Sequence, residues 1–166
     1  MTARFTPCRL RGFLRVLGAC LAMAAVPGPL AAAGIHDLAG RWSGWGSVKL
    51  TNGATEQVKC VATYFIEKAG STLDQNLRCA SASYKIDAKA NYSVTGSRVS
   101  GSWEERTHSA KGEVAGQVTD NHFKLLVKGD TFTANMTMSS SACKQSISIT
   151  PQGLNVDSIS IGLRKC

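Results

Sequence analysis

Four groups of residues in this chain carry side chains able to do chemistry: Glu104-Glu105-Arg106 with His108, the isolated His36 and His122, the run Ser139-Ser140-Ser141, and the cysteines Cys60, Cys79, Cys143 and Cys166. Paired carboxylates working as acid and base must reach one substrate together. Neighbouring residues of a strand point to opposite faces, so Glu104 and Glu105 do not meet that requirement. His108 falls in a Ser- and Lys-containing turn, the usual place for a solvated imidazole. The serines lack a G-x-S-x-G elbow and a histidine placed by motif. Neither a phosphate-binding glycine loop nor a metal-binding helix motif is present. The four cysteines are too widely spaced for the C-x-x-C pairs of a zinc site. These residues predict no catalytic site, no metal, no cofactor and a non-enzymatic protein.

Aromatic residues offer a different chemistry, the burial of an apolar ligand. Trp45, Tyr64, Phe65 and Trp103 are the candidate ligand-binding residues. Trp45 stands on the otherwise polar face of its strand, where a large ring suits a ligand mouth or a partner surface. Trp103 alternates in phase with Val99, which points it toward a core.

The elements that must position these rings are strands. Alternation is the dominant pattern. Trp42, Gly44, Gly46, Val48 and Leu50 share one face, and Ser43, Trp45, Ser47 and Lys49 share the other. Asn52-Gly53 is a strong tight-turn signal. A second strand spans Gln57 to Glu67, and Ala69-Gly70-Ser71 turns into a third over Asn76 to Ile86. Tyr92 and Val94 lead to a turn at Gly96. Alternation resumes at Val99, Val114, Phe123, Phe132, Ile147 and Ile159, broken at Asp120-Asn121, Gly129-Asp130 and Pro151-Gln152-Gly153. Helical periodicity is confined to a short approach around Ile35 to Leu38.

Eight to ten short strands joined by tight turns predict an all-β fold, an antiparallel up-and-down β-barrel that closes to remove its exposed edges. A β-sandwich is the second architecture the pattern allows. Glycines on the inward face (Gly44, Gly46, Gly101, Gly116) suit the bends of a small barrel. Cys60 and Cys79 lie symmetrically about the Ala69-Gly70 turn, and Cys143 and Cys166 about the Pro151 to Asp157 region. Two hairpin disulfides, 60–79 and 143–166, are therefore expected. A strict 143–166 register would set Ile149 opposite Ser160 and mix the two faces, so a bulge near one cysteine is expected there.

The first 33 residues are read separately. Arg4, Arg9, Arg11 and Arg15 precede an apolar run from Val16 to Val26, Pro27-Gly28-Pro29 breaks it, and Ala31-Ala32-Ala33 offers a cleavage site. This is the pattern of a secretory signal peptide, too short to span a bilayer. Leu17-Gly18-Ala19-Cys20 allows an alternative lipoprotein reading through Cys20. The expected domains are a leader, 1–33, and one barrel, 34–166, in the periplasm or outside the cell, where disulfides persist. Loss of four Arg takes the formal charge from +8 to 8 − 4 = +4. Without a concentrated basic stripe, nucleic acid is not an expected partner.

Gly40-Arg41-Trp42 at the first strand and Arg164 near the last resemble the calycin superfamily, which includes lipocalins, avidins and bacterial metalloprotease inhibitors. Those families open with G-x-W. Leu38-Ala39-Gly40-Arg41-Trp42 followed by Gly46-Ser47 is also similar to the avidin opening. The resemblance implies that Arg164 crosses Trp42 to close the barrel. It also implies a module for a small, partly apolar ligand; the alternatives are a partner-protein module, such as a secreted-protease inhibitor, or an envelope structural protein.

Overall fold

The computed structural model describes residues 35–67 and 70–166. The expected leader, its cleavage point, Cys20 and Ala69 of the expected turn lie outside the described residues. A 3-10 turn, η1 (His36–Leu38), leads into ten strands: β1 (Gly40–Leu50), β2 (Thr55–Glu67), β3 (Thr72–Ala80), β4 (Lys85–Thr95), β5 (Arg98–Glu105), β6 (Ala110–Thr119), β7 (His122–Gly129), β8 (Thr133–Ser140), β9 (Lys144–Gln152) and β10 (Val156–Arg164). Each strand pairs antiparallel with the next, and β1 pairs with β10, from Ser43↔Arg164 to Leu50↔Val156. The sheet is a closed barrel, so each of the ten described strands has a paired neighbour on both sides.

Alternation sets the wall. In β1, Trp42 and Gly46 are buried while Ser43 and Trp45 are exposed. The same parity holds in β7, where Phe123 and Leu125 are buried and Lys124 and Leu126 are exposed. The inward glycines let neighbouring backbone come close. A Cβ on Gly101 would collide with the carbonyl of Asn91, and one on Gly44 with that of Gly162. At Asn52-Gly53 the turn forms as the dipeptide predicts: Gly53 has φ 88° and its N–H donates to the Leu50 carbonyl at 2.9 Å.

One strand expectation is corrected. Asn76 to Ile86 is not continuous: β3 ends at Ala80 and β4 starts at Lys85. The turn between them carries no Gly or Pro to announce it. It is made by Ser81 N–H donating to the Tyr84 carbonyl at 2.8 Å, with the Ser81 and Ser83 hydroxyls donating to the Glu56 carboxylate. Serine side chains take the place of glycine here by bonding to nearby acceptors.

Both disulfides form as expected. Cys60 and Cys79 are direct cross-strand partners in β2 and β3. Cys143 and Cys166 are also joined, but the expected bulge is absent between β9 and β10. Ile149 faces Ile159 and pairing stops at Lys144↔Arg164, so both cysteines lie beyond the ladder. The one-residue offset is absorbed in these unpaired ends, where Lys165 N–H still reaches the Cys143 carbonyl at 3.3 Å.

Candidate functional site

The strand directions put η1, the β8–β9 turn and the C-terminus at one end of the barrel, and the β1–β2, β5–β6 and β9–β10 turns at the other. The first end is sealed. Ile35, Leu38 and Trp42 have no exposed surface, and Leu163 is almost as deep. Trp42 Nε1–H donates to the Leu38 carbonyl at 2.7 Å, which fixes η1 under the ring. The cation over that ring is Lys165, with Nζ 5.5 Å from its centre and donating to the Asp37 carbonyl at 3.2 Å. The expectation that Arg164 closes over Trp42 is thus corrected by one residue. Parity is the reason: Leu163 points inward, so Arg164 must point out, exposed beside its partners Ser43 and Lys144. The ladder ends there, and Lys165 is free to turn across the floor.

The opposite end is looser. Val48, Leu77, Ile86, Val127, Ile149 and Ile159 come from six strands near that rim, pack on the core, and are only partly buried. Trp103 points into the same rim, half-buried; its Nε1–H donates to the Lys128 carbonyl at 3.1 Å, and its ring lies 5.7 Å from that of Phe132. Polar contacts tie the rim loops together. Tyr84 stacks on His108 with ring centres 5.1 Å apart. Arg106 pairs with Asp87 at 2.6 Å, which holds the Asp87 carboxyl below its usual range.

Glu105 organises this rim. As strand parity requires, Glu104 is exposed and Glu105 buried. The Glu105 carboxylate accepts from the backbone N–H groups of Asp87 at 2.9 Å, Thr107 at 2.9 Å and His108 at 2.7 Å, and meets His108 Nδ1 at 2.9 Å. Burial alone would push its carboxyl up. The hydrogen bonds from Asp87, Thr107 and His108 outweigh that and hold it down at about 2. This arrangement fixes a loop, with the carboxylate spent on amide donors.

Between floor and rim lies a narrow, partly open cavity of about 30 Å3, lined by residues including Tyr64, Gln75, Phe123, Met136 and Met138. A polar thread crosses it. Tyr92 OH donates to Gln75 Oε1 at 2.9 Å, Gln75 Nε2 to Tyr64 OH at 3.2 Å, and Tyr64 OH to Gln145 Oε1 at 3.1 Å. Burial raises both phenols, Tyr64 to about 12, so they act as neutral donors. Sequence periodicity did not single out Gln75, Tyr92 or Gln145. Their only signal is a polar or phenolic residue on an inward parity.

The four predicted ligand-binding rings do not converge. Tyr64 is in the lumen and Trp103 at its rim, but Trp45 and Phe65 are 61% and 50% exposed on the outer wall. Odd positions of β1 and β2 face outward, so both lie on the polar side. The outer wall also holds a pair that no motif announces: His122 Nδ1 lies 3.0 Å from Ser139 Oγ, its cross-strand partner. Beside it, a shallow groove of about 440 Å3 runs past Ser139, Ser146, Gly162 and Arg164.

No protein-family model and no curated protein sequence matches the chain. Among solved structures, the barrel is similar to the S-type phycobiliprotein lyase CPES from Guillardia theta, with a TM-score of 0.57 and 10% identity over 78% of this chain and 88% of that one. At 10% identity the likeness concerns the fold alone, a closed antiparallel barrel. It also corrects one expectation. A non-enzymatic protein was predicted from the lack of motifs, yet the similar barrel belongs to a lyase. The fold gives no ground for excluding catalysis.

Proposed function

We propose that this chain is an exported, calycin-like barrel that takes a small, partly apolar ligand into its lumen through the rim opposite η1. The supporting observation is the gradient of burial along the lumen. Ile35, Leu38 and Trp42 are fully buried at one end, where Ile66 is partly exposed, while six aliphatic side chains at the other end remain partly in water. A lumen lined by apolar residues with a few inward polar groups is the usual build of a small-molecule site. Two disulfides agree with an oxidising compartment, and the leader-like first 33 residues agree with export. Of the four predicted rings, Tyr64 and Trp103 belong to this reading, and Trp45 and Phe65 do not.

The test is titration with the fluorescent probe 1-aminoanthracene. Saturable binding at one site per chain is expected. Val127→Glu, which puts a charge on the inner rim, should abolish it, and Trp45→Ala should leave it unchanged. Retained binding in Val127→Glu, or loss in Trp45→Ala, would move the site off the lumen. A second reading, a partner-protein surface on the outer wall, is favoured by the small size of the 30 Å3 cavity and by the exposed Trp45 and Phe65. Trp45 lies on β1 opposite Lys59, and Val61 and Thr63 stand between Lys59 and Phe65 on the outer face of β2, so each ring would serve a separate contact.

A further inference from the structure

At the floor end of the lumen, two polar groups are buried and unpartnered among the described residues: Gln145 Nε2 and Ser140 Oγ. The residues are 3% and 7% exposed and face each other across β8 and β9. An unmade hydrogen bond at such depth costs roughly 1–3 kcal/mol per group. Both residues border the groove on the outer wall and neither lines the lumen cavity itself, but their inward positions adjoin it. Ser140 is the next inward position after Met138, and Gln145 the one before Ile147; both of those residues line it.

We propose that Gln145 and Ser140 anchor the polar end of a lumen ligand, and that this ligand is an uncharged, chiefly apolar molecule ending in a carbonyl group. The proposal deepens the lumen reading above and rests on it. The direction of the polar thread selects the ligand group. Each donor from Tyr92 to Tyr64 is used by the next residue, so the thread ends in the N–H of Gln145. What completes it is an acceptor. A carboxylate is a poor choice, because among the described residues the buried polar or charged side chains are Glu105, Ser140 and Gln145, and none of these is a cation. A carbonyl oxygen accepts from Gln145 without bringing a charge.

Space is made by methionine. The cavity of about 30 Å3 has room for little more than water. Met136 and Met138 on its wall are unbranched and re-pack readily, which allows an alkyl chain to pass toward the half-buried rim.

The experiment is displacement of 1-aminoanthracene by 2-nonanone, nonanoate and 1-chlorooctane, compounds of similar length. 2-Nonanone should bind about tenfold more tightly than either of the others, the worth of one well-made neutral hydrogen bond. Gln145→Leu should erase that advantage and leave 1-chlorooctane unchanged. In the wild-type protein, which needs no variant to fold, the carbonyl stretch of bound 2-nonanone should lie at lower frequency than in hexane. Equal affinity for 2-nonanone and 1-chlorooctane, tighter binding of nonanoate, or a hexane-like stretch overturns the anchor and leaves the lumen site standing. A water on Gln145 Nε2 that 2-nonanone does not displace overturns it too. Failure of the probe itself to bind removes the lumen site and the anchor together.

Discussion

Trp42→Ala in combination with Lys165→Ala tests the sealed end of the barrel. Trp42 is fully buried, so deleting its ring costs roughly 3–5 kcal/mol from lost transfer and the cavity left behind. The Leu38 carbonyl also loses its indole donor, which places the loss toward the upper part of that range. Lys165→Ala removes a cation 5.5 Å from the ring and the hydrogen bond to Asp37. At this exposed position the cation–π part is worth roughly 0.5–1 kcal/mol. Both changes delete the same contact, so the double mutant should lose less than the two single losses combined, by roughly 0.5–1 kcal/mol. Arg164→Ala is the control. Its side chain is outside the wall, and its loss should stay within about 0.5 kcal/mol. Urea unfolding, with the denaturant slope checked for constancy, reads all four variants. Strict additivity of Trp42 and Lys165, or a larger loss from Arg164 than from Lys165, would refute the assignment of the floor cation.

Glu105 makes stability pH-dependent. Its folded value of about 2 lies below the ordinary 4.5, so its contribution is complete above pH 4.5 and lost as pH falls toward 2; Glu105→Gln should flatten acid unfolding in that window, measured by circular dichroism. Opening the Cys60–Cys79 bond by paired Ala substitution should cost roughly 3 kcal/mol in urea unfolding. Opening Cys143–Cys166 should cost less, because it lies outside the ladder whose register it would otherwise hold. Gly101→Ala should lose roughly 1–3 kcal/mol, since its Cβ meets the Asn91 carbonyl, while Gly162→Ala, with nothing within 4 Å, should be close to neutral in the same assay. N-terminal sequencing of exported protein should begin at Gly34; a first residue of Cys20 would point to a lipoprotein instead.

The chain's alternation was enough to decide the fold class, because a closed sheet buries one face of every strand and each strand must write that parity into its residues. Trp42, Gly44, Gly46, Val48 and Leu50 therefore announce an inner wall by their spacing alone. The symmetry of Cys60 and Cys79 about their turn announced a directly opposed pair, while Cys143 and Cys166 fall one residue out of that symmetry and join beyond the ladder. Turn chemistry was legible at Asn52-Gly53 and hidden at Ser81–Tyr84, where side-chain hydroxyls shape the backbone.

Only the tertiary structure decided the site. Parity tells inside from outside but not which inward residues meet across the barrel: Tyr64, Gln75 and Tyr92 come from the consecutive strands β2, β3 and β4, and Gln145 joins them from β9, 81 residues beyond Tyr64. It also cannot find where a ladder ends. Lys165 rather than Arg164 crosses Trp42 because pairing stops at Arg164, a consequence of how β9 and β10 meet rather than of either residue's type. The rings of Trp45 and Phe65 attract notice by size alone, and their place on the outer wall follows from the same parity that put Trp42 within.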